Sequence, residues 1–139
     1  MKKLTLIICL TLVSGFAFSQ WVQLNPELPI PQYTLTSVFF TDSNTGYIAG
    51  NEAIFKTIDG GETWNESFDG GFNSIFFADS ITGYAVKAGT IIKTIDGGAS
   101  WETLYNGKTD LNSLCFTNAD TGYVVGGQTI LKTDRKSVV

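Results

Sequence analysis

Lys56-Thr57-Ile58-Asp59-Gly60-Gly61-Glu62-Thr63-Trp64 and Lys93-Thr94-Ile95-Asp96-Gly97-Gly98-Ala99-Ser100-Trp101 are one nine-residue phrase written twice, 37 positions apart. A third copy opens at Lys132-Thr133, 39 positions further on, and departs from the pattern after Thr133. A phrase recurring at this spacing marks a chain built of stacked units. Its chemistry is that of a turn between two strands. A short apolar run enters it, Ala53-Ile54-Phe55 in one copy and Thr90-Ile91-Ile92 in the other. Asp offers carboxylate oxygens to nearby backbone N–H groups, the glycines allow positive φ, and Asp-Gly is itself a hairpin signal. A hydroxyl residue and a Trp lead the chain out, the indole combining a large apolar area with one N–H donor. Thr57, Asp59, Gly61, Thr63 and Trp64, with Thr94, Asp96, Gly98, Ser100 and Trp101, are therefore expected to form a structural corner. In it the Asp holds the turn and the Trp pins it to a core. Asp59 and Asp96 are not expected to be catalytic, because a turn-forming carboxylate has its lone pairs occupied and no partner acid stands beside either.

Working outward, the segments between the phrases align as well. Leu35–Asp42 matches Phe72–Asp79 and Leu111–Asn118, each an apolar run ending at a turn former. Thr45-Gly46-Tyr47, Thr82-Gly83-Tyr84 and Thr121-Gly122-Tyr123 open a second run, and Ala53–Thr57, Thr90–Thr94 and Thr129–Thr133 form a third. The Trp run, Trp64–Phe68 or Trp101–Tyr105, is the fourth. The residues are rich in Thr, Ile, Val, Phe and Tyr, and no stretch has helical periodicity. The pattern predicts an all-β chain of four-stranded antiparallel units joined by hairpins, the arrangement of a β-propeller blade. The organisation expected is a first blade over 35–71, a second over 72–110 and a partial third over 111–133. Trp21-Val22-Gln23-Leu24 resembles the Trp runs, so residues 20–34 are expected to hold a stray outer strand followed by a Pro-rich loop. The extra length before the third unit falls at Asn106–Asp110, a link between units, where insertions are tolerated.

Met1-Lys2-Lys3, the apolar run Leu4–Val13 and Ala17-Phe18-Ser19 have the form of a secretory signal peptide over residues 1–19, too short to span a bilayer. Its removal takes Cys9 and leaves Cys115 as the one cysteine, so no intrachain disulfide is expected. Without Lys2 and Lys3 the nine basic residues become seven, against thirteen acidic, a net charge of −6. An exported location, periplasmic, cell-surface or extracellular, is expected, with no membrane span in the mature chain. An acidic chain with no His and a single Arg is a poor binder of nucleic acid.

The phrase Thr-x-Asp-x-Gly-x-Thr/Ser-Trp resembles the Asp-box, or BNR repeat, found in sialidases, sortilin-type receptors, xyloglucan-cleaving glycosidases and photosystem II assembly factors. The fuller pattern is Phe-x-Asp-x-x-x-Gly-Tyr followed by Ile-x-Lys-Thr-x-Asp-Gly-Gly-x-Thr-Trp. It is most similar to the photosystem II assembly factor (Ycf48/HCF136-like) propeller family, over residues 21–133. The resemblance implies a partial β-propeller with two complete blades, one incomplete blade and a stray outer strand. The tail Asp134–Val139 holds the only Arg and departs from the family. It is expected to be foreign to the gene, with the chain a fragment of a longer propeller.

Composition tests the chemical alternatives. A sialidase needs a cluster of Arg residues to grip its substrate carboxylate, and the chain has one Arg. A carboxylate-pair glycosidase needs two acids about 5 to 9.5 Å apart. Glu52, Glu62, Glu66, Glu102 and Asp110 all fall in turns or on strand positions expected to face solvent. No metal or other cofactor is expected without His, with one mature Cys and with no Asp-x-Asp-x-Asp run. Cys115 occupies the position of Phe39 and Phe76, so a buried, unreactive thiol is expected. Tyr47, Tyr84 and Tyr123 are expected to pack within the repeat, and Lys56, Lys93 and Lys132 to be ordinary strand-face residues. The function expected is an exported non-catalytic module for protein binding or assembly. The alternative is a fragment of a secreted Asp-box glycoside hydrolase or glycan-binding protein.

Overall fold

The computed structural model describes residues 21, 23, 33–118 and 120–134. The leader expected over residues 1–19, the proline-rich loop and the last five residues of the tail lie outside them. Among the described residues eleven strands run in chain order: β1 (Leu35–Phe40), β2 (Gly46–Gly50), β3 (Ala53–Thr57), β4 (Asn65–Asp69), β5 (Ser74–Phe77), β6 (Gly83–Lys87), β7 (Thr90–Thr94), β8 (Glu102–Asn106), β9 (Ser113–Phe116), β10 (Thr121–Gly126) and β11 (Thr129–Asp134). They form a sheet β1-β2-β3-β4, a sheet β5-β6-β7-β8 and a three-stranded sheet of β9, β10 and β11, each strand antiparallel to its neighbours. These are two complete propeller blades and one partial one. No helix among the described residues is long and apolar enough to cross a membrane. Of the outer strand expected at Trp21–Leu24, Trp21 and Gln23 are described. Neither is in a strand, and Trp21 is fully exposed.

The first strand of each blade ends in an Asx turn, and the sequence dictates why. Asp42 Oδ1 accepts from the N–H groups of Asn44 and Thr45. Asp79 Oδ1 does the same for Ile81 and Thr82, and Asn118 Oδ1 for Asp120 and Thr121. The turn delivers a Thr-Gly pair to the second strand. The Gly is required there by its cross-strand neighbour: Gly46 pairs with Phe40, Gly83 with Phe77 and Gly122 with Phe116. The aromatic ring lies flat over the Gly backbone, and a Cβ at any of the three would stand 2.6 Å from ring carbon.

The core lies between blades. Tyr47, Ala49 and Ile54 of the first blade pack against Phe72, Ile75, Phe77, Ala85 and Ile92 of the second. Val86 of the second meets Leu111, Leu114 and Val124 of the third. The tyrosine of each blade stacks on the glycine-covering Phe of the next: Tyr47 on Phe77 at 3.8 Å between ring centroids, and Tyr84 on Phe116 at 4.3 Å. A hydrogen bond recurs beside each stack. Thr36 Oγ1 donates to the Phe72 carbonyl at 2.7 Å, and its counterpart Asn73 donates through Nδ2 to the Leu111 carbonyl at 2.8 Å. Blades thus join through one face, repeated by a fixed chemical recipe.

Cys115 departs from expectation: its thiol is exposed. Its counterparts Phe39 and Phe76 are half-buried because a following blade covers them, Phe39 meeting Phe76 and Phe76 meeting Phe116. Among the described residues no blade follows the third, so the same strand position faces outward. An apolar position in a repeat is buried only where its neighbour is present.

Candidate functional site

The repeated corner is densely hydrogen-bonded. Thr57 ends β3 almost fully buried, and its hydroxyl works in both directions. It donates to Asp59 Oδ1 at 2.7 Å and accepts from the N–H groups of Asp59 and Gly61 at 3.3 and 3.0 Å. Asp59 then holds Thr63 twice, the Thr63 N–H reaching Oδ1 at 2.9 Å and the Thr63 hydroxyl reaching Oδ2 at 2.5 Å. Gly60 and Gly61 both have positive φ, 74° and 94°, which lets the seven-residue connection from Ile58 to Trp64 curl back on itself. Trp64 is buried and its indole N–H donates to the Gly61 carbonyl at 3.1 Å. The Asp-Gly pair therefore builds a wider loop than a two-residue hairpin. The second corner repeats the scheme through Thr94, Asp96, Gly98 and Ser100. Its Trp101 is half-buried and turns its N–H to Ser67 Oγ of the first blade at 3.4 Å.

This bonding fixes the electrostatics. The hydroxyl of Thr63, then its N–H, then the hydroxyl of Thr57 hold the Asp59 carboxyl down at about 2. Ser100 and Thr94 hold Asp96 at about 2 in the same way. Such a carboxylate stays ionised across the physiological range and has donors on both oxygens. Asp42 is lowered too, by the backbone N–H groups of Asn44 and Thr45.

The second corner also receives the first blade. Gly97 O accepts from Tyr47 Oη and from Lys56 Nζ, each at 2.8 Å, while Gly98 O accepts from Ser67 Oγ at 2.6 Å. Burial raises the Tyr47 phenol above its ordinary value, keeping it a neutral donor. Lys56 stands over the Tyr47 ring, 5.5 Å from its centroid, and Lys93 and Lys132 repeat this over Tyr84 and Tyr123 at 5.8 Å. Lys56 is thus a latch between blades, beyond the strand-face role expected of it. The signal was present in the sequence as a Lys and a Tyr recurring with every unit at paired strand positions.

Beside this latch lies an open groove of about 270 Å³, lined by Lys56, Ile58, Asn65, Glu66, Ser67, Gly98 and Ala99. One cation, one carboxylate, an amide, a hydroxyl and two apolar side chains share it. Among the described residues no three His, Cys, Asp or Glu side chains converge as a metal site would require.

The family model for photosynthesis system II assembly factor YCF48 matches residues 14–104, well over half of the chain. The chain belongs to the YCF48 family. The matched span takes in the first blade, both corners and the second blade as far as the middle of β8, and ends before the third blade. Solved structures carry the likeness in three dimensions. A YCF48 bound to D1 peptide superposes with a TM-score of 0.64 at 23% identity, over 73% of this chain and 37% of that one. YCF48 from Cyanidioschyzon merolae superposes with a TM-score of 0.58 at 16% identity, over 76% and 38%. An ancestral GH74 enzyme superposes with a TM-score of 0.62 at 19% identity, over 71% and 17%. At these identities the structures establish the shared propeller fold, and the chain spans well under half of each of them. No curated protein matches it significantly. Within the YCF48-type blade, therefore, the repeated Thr, Asp, Gly, Thr/Ser and Trp positions sit in two corners, and Lys56, Tyr47 and Ser67 bind one of those corners from the preceding blade.

Proposed function

We propose that this chain is a non-catalytic propeller module of an exported assembly factor, and that the groove between its first two blades grips an extended segment of a protein partner. The observation that carries the non-catalytic reading is the state of Asp59 and Asp96. Both oxygens of each already accept hydrogen bonds within the corner, and both carboxyls sit at about 2. A general acid must instead have its pKa raised toward the working pH. These residues act as structural members, and family membership supports the same conclusion. The groove suits a peptide: its mixed lining offers a cation, a carboxylate and hydrogen-bonding groups around the exposed side chain of Ile58. The YCF48 solved with a D1 peptide makes that peptide the first probe to use.

Fluorescence anisotropy of a labelled D1 peptide, against a scrambled peptide of equal composition, tests the reading. Saturable binding weakened at least about tenfold by Ile58→Asp is expected, since a charge placed on the groove wall costs one to two kcal/mol of contact. Ile58 is exposed, so the fold tolerates the change. Release of reducing ends from a β-glucan by the purified chain, or peptide binding indifferent to Ile58→Asp, overturns it. Export is tested separately by the intact mass of the secreted protein, expected to begin at Gln20.

A further inference from the structure

The chain holds four pairs in which glycine follows Asp or Asn: Asp59-Gly60, Asp69-Gly70, Asp96-Gly97 and Asn106-Gly107. In each, the glycine N–H is docked on a backbone carbonyl elsewhere in the fold. Gly60 donates to Asn44 at 2.8 Å, Gly70 to Glu52 at 2.7 Å, Gly97 to Ile81 at 2.9 Å and Gly107 to Gly89 at 2.6 Å. The last pair differs in its chemistry. Asp69 and Asn106 are repeat equivalents, 37 positions apart, each the last residue of its blade's outer strand and paired with Ala53 and Thr90. The first blade carries a carboxylate there and the second an amide. An amide can release ammonia when the next backbone nitrogen attacks it, whereas a carboxylate has no comparable leaving group. Asn106 is exposed, and glycine after it puts no side chain in the way of the attack. Packing imposes that glycine: a Cβ at Gly107 would stand 2.2 Å from the Tyr105 hydroxyl. The surrounding backbone forms a clasp. Gly89 accepts from Gly107, and its own N–H donates to the Thr109 carbonyl at 2.7 Å, so the turn between β6 and β7 grips the link that leads to the third blade. Gly89 has a φ of 70°, and a Cβ there would stand 2.3 Å from the Gly107 carbonyl oxygen.

We propose that Asn106 is a site of spontaneous deamidation gated by this clasp, and that the isoaspartyl product leaves the clasp open. While the clasp is shut, the Gly107 nitrogen is engaged with Gly89, and pairing with Thr90 keeps Asn106 in strand geometry. Ring closure needs that nitrogen released and the chain bent. Once the link lifts, the Gly107 N–H gives its proton to solvent base and the nitrogen attacks Asn106 Cγ. The Cγ–Nδ2 bond breaks and ammonia leaves, giving a succinimide. Water opens the ring at one carbonyl to leave aspartate, or at the other to leave isoaspartate, whose main chain is one methylene longer. Water is consumed, ammonia is released and the site gains one negative charge. The aspartyl branch restores what the first blade already has, an Asp followed by a docked glycine. The isoaspartyl branch moves Gly107 along by one carbon, so the bonds of Gly107 to Gly89 and of Gly89 to Thr109 lose their common register. The reaction therefore releases, in one direction only, the link between the second and third blades. This inference is independent of the peptide groove.

The test is ageing of the full chain in mildly alkaline buffer, followed by trypsin, which frees Asn106 in the peptide 94–108. Its Asn, Asp and isoaspartyl forms are separated by chromatography and identified by mass and by isoaspartyl methyltransferase. Deamidation in the folded chain is expected to run at least about tenfold slower than in urea-unfolded chain, because only the opened link reacts. Gly89→Ala, which forces the clasp apart, is expected to raise the rate in the folded chain at least about fivefold toward the unfolded rate. Where that variant fails to fold, hydrogen exchange at the Gly107 amide of the unmodified chain replaces it: exchange and deamidation are expected to rise together as urea is added below the unfolding transition. Asn106→Asp is expected to keep the urea midpoint of the fresh chain, and the purified isoaspartyl form to unfold at lower urea. Equal rates in folded and unfolded chain, a folded Gly89→Ala with an unchanged rate, exchange at Gly107 that rises without deamidation, or an isoaspartyl form as stable as the fresh chain overturns the proposal.

Discussion

Replacing Thr57 by Val and by Ser separates the hydroxyl of the corner from its bulk. The Thr57 side chain is 1% exposed, and its Oγ accepts from the buried Gly61 N–H at 3.0 Å while donating to Asp59 at 2.7 Å. Valine keeps the shape and removes both functions. The Gly61 N–H then has no acceptor, and an unsatisfied buried donor costs about 1–3 kcal/mol. Losing the donation to Asp59 adds little, because that carboxylate is exposed and takes water instead. The expected loss for Thr57→Val is about 2 kcal/mol. Serine retains the hydroxyl and loses one methyl, at most about 1 kcal/mol. Urea unfolding followed by tryptophan fluorescence reads the difference. With a slope of about 1–3 kcal/mol per molar for a domain of this size, the Val variant shifts the midpoint down by about 1–2 M and the Ser variant by half of that or less. Thr94→Val is expected to reproduce the effect in the second blade. Equal midpoints for Val and Ser, or a Val variant as stable as the unmodified chain, would show that the corner depends on shape alone and would refute the role given to the hydroxyl.

Tyr47→Phe and Lys56→Met are each expected to cost about 0.5–1.5 kcal/mol in the same assay, and the pair more than the sum, because both donors serve the Gly97 carbonyl and only the double variant leaves it without either. Gly83→Ala is expected to destabilise by about 1–3 kcal/mol through overpacking against the Phe77 ring, measured by thermal unfolding, with Phe77→Leu added to it recovering part of the loss. Asp59 and Asp96 ionise more readily folded than unfolded. Their contribution to stability is present above the ordinary value of 3.8 and is lost as pH falls through about 2. Urea midpoints between pH 5 and 2 are expected to fall, and Asp59→Asn with Asp96→Asn to flatten that fall.

The strand plan was readable because each local signal had one cause. Thr57 and Thr94 close β3 and β7 at the residues expected, and Asp42, Asp79 and Asn118 place their turns through their own side chains. What the sequence concealed were the relations between units. Lys56 looks like an ordinary strand-face lysine until the second corner is set beside it, with the Gly97 carbonyl 2.8 Å from its nitrogen. Cys115 looks like a core residue because its counterparts are, yet burial at that position belongs to the joint and not to the strand. Pattern along a chain reports hydrogen bonds and packing made within a unit. A joint between units is legible only as recurrence, and recurrence does not say which joints are filled.

That distinction gives the corner its second meaning. Its inward needs are met locally: Thr57 and Asp59 absorb the N–H groups, and positive φ at two successive glycines turns the chain. In the second corner the glycine carbonyls are left as acceptors on the blade surface, and Tyr47, Lys56 and Ser67 of the preceding blade arrive there. A side chain at Gly98 would meet Ser67 Oγ at 2.9 Å, so glycine is needed there for the approach as well as for its φ of 83°. The same nine residues therefore end one hairpin and receive the next blade, which couples the fold of each unit to the presence of its neighbour. A propeller assembled this way can vary its link lengths, as the two extra residues before the third unit do, without disturbing either task.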